Sequence, residues 1–217
     1  MKIKWNGHAS FTITSSQGTV IVTDPYQPGC FDGGIGYDAV DDRTDVALIS
    51  HDHDDHNHTA SLSGDPEVLR GAGSAKDIDF DAVETAHDES GGSERGMNML
   101  FAFSVDGLRV GFMGDLGHLL DDAQLSKLGK IDVLLVPIGG VFTIDPQGAS
   151  KLVEQIGPRL VIPMHYKTDK CGFPIAEVDD FAKFFTNVKK TGKTEIEVSD
   201  QNVPASGPEV WVLEHAR

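Results

Sequence analysis

The apolar run Val46-Ala47-Leu48-Ile49-Ser50 leads directly into His51-Asp52-His53-Asp54-Asp55-His56. A buried strand that stops at three imidazoles and several carboxylates constrains the fold more than any other segment. Such groups are expensive to desolvate unless something binds them. Imidazole and carboxylate are the usual ligands of zinc and similar divalent ions. In an extended segment His51 and His53 point the same way and can grip one ion. Asp55 and His56 lie past the strand, where a turn can aim them at a second. The competing reading is a solvent-facing His/Asp loop with weak metal affinity, and the rest of the chain weighs against it.

Three further segments repeat the pattern of a strand ending in a ligand. They are Thr85-Ala86-His87, Phe112-Met113-Gly114-Asp115 and Ile162-Pro163-Met164-His165. Strand ends along one edge of a sheet are where ligand sites gather in layered folds.

Around these segments the alternation of polar and apolar residues predicts strands at Lys2–Trp5, Phe11–Thr14, Val20–Thr23, Val46–Ser50 and Ala82–Thr85. Met99–Val105 and Leu108–Met113 read as a hairpin turning at Asp106-Gly107. Val133–Pro137, Leu160–Pro163 and Val210–Leu213 complete the strands. Helices are expected at Asp121–Leu128, at Val178–Thr186 and from Pro146 to Ile156, with Asp145 as N-cap. A short helical segment is expected after Asn57. Residues 27–42, rich in Gly and Asp, read as a long functional loop. Strands first, then strands alternating with helices, predict an α/β sandwich, and no linker or repeat divides residues 1–217.

The formal charge is −16, from 18 basic against 34 acidic side chains. Such a surface repels phosphate backbones and anionic membranes, so neither nucleic acid nor a membrane is the expected partner. A small substrate is. Cys30 and Cys171 form no disulfide framework and no convincing triad, and read as loop or packing residues. The start of the sequence lacks a signal-peptide core and no apolar run reaches membrane-span length, so a cytoplasmic location is expected. Oligomeric state is not legible.

The H-x-H-x-D-H cluster, the later lone His87, the Gly114-Asp115 pair and the terminal Met164-His165 resemble the metallo-β-lactamase superfamily. Val22-Thr23-Asp24-Pro25 is similar to its first motif. Trp5-Asn6-Gly7-His8-Ala9-Ser10-Phe11 and Gly114-Asp115-Leu116-Gly117-His118 resemble its compact Zn-dependent hydrolase branch, related to ascorbate-6-phosphate lactonases. The resemblance runs from Trp5 to Lys167. It implies an αβ/βα sandwich, two mixed sheets packed face to face with helices on the outer faces. It also implies two divalent ions, zinc first, with manganese or iron as alternatives. His51, His53 and His87 would hold one ion, Asp55, His56 and His165 the other, and Asp115 would bridge them. Asp24 would orient a ligand histidine.

The implied function is hydrolysis of a lactone, ester or phosphoester by a metal-activated hydroxide. A nuclease of the same superfamily and a non-enzymatic metal-binding protein are the alternatives. Asp55, Asp115 and His118 are the candidate catalytic side chains. His118, three residues beyond Asp115, could stabilise an oxyanion or donate a proton to the leaving group. His8 is expected either to reach the site or to make a structural hydrogen bond. Lys167, Arg95 and Tyr37 are weaker candidates for substrate contact, while His58 and His215 read as bystanders.

Overall fold

The computed structural model describes residues 1–217. Two mixed β-sheets carry the fold, with few helices. The first sheet has six strands, in the spatial order β13 (Glu195–Glu197), β1 (Lys2–Gly7), β2 (Ser10–Thr14), β3 (Val20–Thr23), β4 (Val46–Leu48) and β5 (Glu67–Leu69). The second has eight: β12 (Val188–Lys190), β14 (Glu209–Val212), β11 (Leu160–Met164), β10 (Val133–Pro137), β9 (Leu108–Phe112), β8 (Met97–Val105), β7 (Ile78–Ala86) and β6 (Gly73–Ala75).

Both sheets pair antiparallel on one side and parallel on the other. β3 and β4 run parallel, as do β9, β10, β11 and β14. Parallel strands covered on both faces need no polar side, and every residue of β10 and β11 is buried. The antiparallel strand β7 instead alternates, because one face meets water. One core joins the two sheets: Ile3, Trp5, Phe11 and Ile13 of the first lie in the same apolar cluster as Phe101, Phe103, Val110 and Phe112 of the second.

The helix Pro146–Ile156 is capped as expected, with Asp145 Oδ1 accepting from the Gly148 amide and Pro146 in the first turn. Its Ala149, Leu152 and Val153 enter the core. Asp121 caps Asp122–Leu128 in a capping box with Gln124. The third helix, Val178–Ala182, is shorter than expected. The segment after Asn57 forms one 3₁₀ turn, Thr59–Ser61. No helix is long and apolar enough to cross a membrane.

The 27–42 loop is anchored by a satellite core that includes Tyr26, Cys30, Ile35, Tyr37 and Cys171. Both cysteines are free and buried, and burial pushes the Cys30 thiol up to about 12. They are packing residues.

Candidate metal centre

β7 is antiparallel to β8, and β8 to β9, while β9, β10 and β11 are parallel. The C-terminal ends of β7, β9 and β11 therefore lie on one edge of the sheet. His87, Asp115 and His165 follow those ends at once or within three residues. β4 of the other sheet delivers His51 to His56 from the facing side. Its strand stops at Leu48, so His51 and His53 are brought together by a bend rather than by strand alternation, with ring centroids 4.5 Å apart.

The side chains form two adjoining groups. His51, His53 and His87 make one; His8, Asp55, His56 and His165 make the other. Asp115 stands between them. Its Oδ2 lies 3.2 Å from His56 Nε2, 3.2 Å from His165 Nε2 and 3.4 Å from His87 Nε2. Asn98 aims it: the Asn98 Oδ1 accepts from the Asp115 amide, and its Nδ2 donates to Thr85 Oγ1 and Met113 O. The turn before Asp115 needs Gly114 at φ 49°, because an added Cβ would collide with Asn98 and Ser50.

Asp24, fully buried, fixes the tautomers of His51 and His56. It accepts from the Ser50 amide at 2.8 Å, from the Ser50 hydroxyl at 2.5 Å and from His56 Nδ1 at 2.8 Å. Since the one Ser50 hydroxyl proton goes to Asp24, Ser50 Oγ accepts from His51 Nδ1 at 2.8 Å. Both histidines are then left with a lone pair on Nε2. Those two Nε2 atoms and Asp115 Oδ1 are buried with no hydrogen-bond partner. Orphaned acceptors in one site are costly, and divalent cations satisfy all three at once. The donor set fits divalent metal.

The electrostatics agree. Burial alone would lower the pKa of His56, but the Asp115 and Asp55 carboxylates outweigh it and hold the imidazole well above its ordinary value. Burial likewise opposes ionisation of Asp115, yet His165 and His56 keep its carboxyl far below the usual range. The field that favours a proton on His56 Nε2 favours any cation there. His51 is pushed down to about 2 by burial and by His56, which keeps its imidazole neutral and its Nε2 lone pair free.

A family model described as a β-lactamase superfamily domain matches residues 2–165. The chain belongs to that superfamily. A UPF0173 metal-dependent hydrolase from Nitratidesulfovibrio vulgaris is 31% identical over 205 residues, covering 81% of this chain and 82% of that protein. One from Archaeoglobus fulgidus is 31% identical over 215 residues, covering 84% and 90%. A Thermotoga maritima structure of a metallo-β-lactamase superfamily protein superposes with a TM-score of 0.80 at 35% identity, covering 98% of this chain and 97% of that one.

Within this metallo-β-lactamase framework, the remaining sequence candidates divide. His8 reaches the site. It is fully buried, its Nε2 lies 3.0 Å from Asp55 Oδ2, and its ring centroid is 4.0 Å from that of His165. His8 and His165 both adopt φ 51° and are joined by a backbone bond from His165 N to His8 O. Left-handed backbone at two non-glycine residues is strain concentrated at the site.

His118, expected to stabilise an oxyanion or donate a proton, lines the outer cavity and is bonded to backbone. Its Nε2 accepts from the Ala86 amide at 3.1 Å and its Nδ1 contacts Leu119 O at 2.7 Å. Both ring nitrogens are committed to backbone, so the imidazole braces the end of β7 beside His87. Lys167 donates to Cys171 O and Phe173 O, holding a loop rather than facing the site. Tyr37 is buried, with its hydroxyl 2.6 Å from Thr168 Oγ1. His58 precedes the 3₁₀ turn, and His215 pairs with Asp169.

Arg95 does face the site. So do Phe31, Phe142 and Phe173, which line the cavity over the centre and which sequence reasoning missed. They sit in three separate loops without periodicity, so no sequence signal marks them.

Proposed function

We propose that this chain is a binuclear metal-dependent hydrolase acting on a small-molecule lactone, ester or phosphoester. Zinc is the favoured ion, and manganese or iron would also suit the oxygen-containing second group. The observation that carries the reading is Asp115 Oδ2 lying within 3.4 Å of nitrogens from both ligand groups, the position a bridging carboxylate requires. In the proposed assignment His51, His53 and His87 would hold one ion, Asp55, His56 and His165 the other, and Asp115 both. Bound there, the metal would supply an activated water and offset developing negative charge on the substrate.

The chain's own groups supply the rest. Asp24 and Ser50 hold His51 and His56 with Nε2 facing inward. His8 orients Asp55. The half-buried Phe142 and Phe173 give the centre an apolar wall, and a less polar surrounding strengthens the electrostatic interactions beneath it. No cysteine nucleophile competes, because both thiols are buried and raised. The free thiols also fit a reducing compartment such as the cytoplasm. The net charge of −16 weighs against the nuclease alternative.

The test is turnover of p-nitrophenyl acetate, γ-butyrolactone and bis(p-nitrophenyl) phosphate by protein stripped with chelator and reloaded with zinc, manganese or iron. Metal-dependent hydrolysis of at least one is expected. No turnover by any loaded form would contradict the reading.

A further inference from the structure

Two cavities meet at the centre. The inner one, about 220 Å³, lies directly over the candidate ligands. With those ligands set aside, four side chains line it: Phe31, Phe142, Phe173 and Arg95. The rings form a continuous collar. Phe173 meets Phe31 edge-on at 5.8 Å and Phe142 at 5.3 Å, and the Arg95 guanidinium lies 5.9 Å from the Phe142 centroid. The outer cavity, about 560 Å³, shares His87, Arg95 and Phe142 with the inner one. Arg95 therefore stands at the junction. Its guanidinium makes no hydrogen bond within the chain, and its one acidic neighbour is the exposed Glu94 at 3.6 Å.

A guanidinium free of hydrogen bonds beside aromatic faces is suited to planar anions, which it binds by a bidentate fork. The charge around it selects among anions. Glu89, Glu94 and Asp145 line the outer cavity, against the cations Arg95 and Lys151. The Asp88 carboxylate, also there, is occupied by the amides of Ser90, Gly92, Glu94 and Arg95. With acid in excess on the outer rim, Arg95 is the one cation shared with the inner cavity, and its fork matches a single carboxylate. The inner volume is below the range of ordinary drug-sized sites.

We propose that the substrate is a small ester or lactone that bears a free carboxylate. Its apolar or aromatic body packs on the Phe31–Phe173–Phe142 collar and its carboxylate pairs with Arg95. This rests on the hydrolase reading for the scissile bond, while the pocket is tested by binding.

The experiment is titration calorimetry of zinc-loaded protein with benzoate and with acetate, in the wild type and in the R95Q, R95K and F173A variants. Acetate reads the carboxylate contacts without the ring. Benzoate should bind at least about tenfold more tightly than acetate. R95Q should cut benzoate and acetate binding alike, about tenfold, leaving zinc content unchanged, with R95K intermediate because it keeps the charge but not the fork. F173A should weaken benzoate and spare acetate. Equal binding of benzoate and acetate, or undiminished benzoate binding by R95Q, would overturn the proposal. The zinc content and circular dichroism of each variant separate a misfolded protein from a lost contact. Benzoate binding as expected, with no hydrolysis of any ester, would instead overturn the hydrolase reading and leave the pocket standing.

Discussion

His8 Nε2 lies 3.0 Å from Asp55 Oδ2, joining the loop after β1 to the histidine cluster after β4. Burial, with His165 next, pushes the His8 imidazole down to about 4, so it stands beside Asp55 as a neutral donor. Partners of this kind orient a ligand and are worth about 10–100-fold in metal affinity. His8→Ala should therefore weaken the ion at the Asp55 group by that factor, measured by competition with a chelating dye. His8→Gln, which can still donate, should recover part of the loss. Unchanged affinity in the alanine variant would reduce the pair to packing.

Gly117 sets the approach of the Asp115 loop to His87. An added Cβ there would run into the backbone of His87 and Asp88, which cannot swing aside as a side chain can. Gly117→Ala should cost about 3 kcal/mol of stability and displace His87 from its group, read as a lower unfolding midpoint with reduced metal content. A variant with the parent's midpoint and metal content would show that the two loops are not in contact.

The parts of this molecule that were legible in sequence are those fixed by neighbouring residues. An apolar run followed by His or Asp gave the strand-end pattern, Asp145-Pro146 gave a helix start, and Asp106-Gly107 gave the hairpin turn between β8 and β9. Edge strands β5, β6, β12 and β13 have three residues each, partly exposed, and carry too few alternations to register. The His8–Asp55 contact spans 47 positions and depends on how the first sheet folds back. His118 looked reactive because it follows Asp115 closely, yet its partners Ala86 and Leu119 are backbone groups that no pattern reveals.

That bonding yields a prediction for His118→Ala. Loss of two backbone contacts should lower stability by about 1–2 kcal/mol, while kcat at saturating metal changes little. A large fall in kcat at unchanged stability would restore the proton-donor role.

Asp88 organises the loop over the outer cavity. Burial opposes its ionisation, but backbone amides, that of Arg95 foremost, hold its carboxyl down at about 2. A depressed carboxylate stabilises above the ordinary value and loses that contribution as pH falls through the folded one. Loop order should therefore persist at pH 5 and fade as pH falls from about 4 toward 2. Asp88→Asn should show the disordered state already at neutral pH, with amide exchange at Gly92 to Arg95 faster by about tenfold or more. Exchange rates equal to the parent's would contradict the anchoring role.

The central claim is that Asp115 joins two ions. The most direct measurement is metal content per chain by plasma emission, on tag-free protein reconstituted with zinc, for the parent and for Asp115→Ala. The account predicts about two ions in the parent and a loss of one or both in a variant whose circular dichroism is unchanged. Two ions retained by a folded Asp115→Ala, or none taken up by the parent, would contradict it.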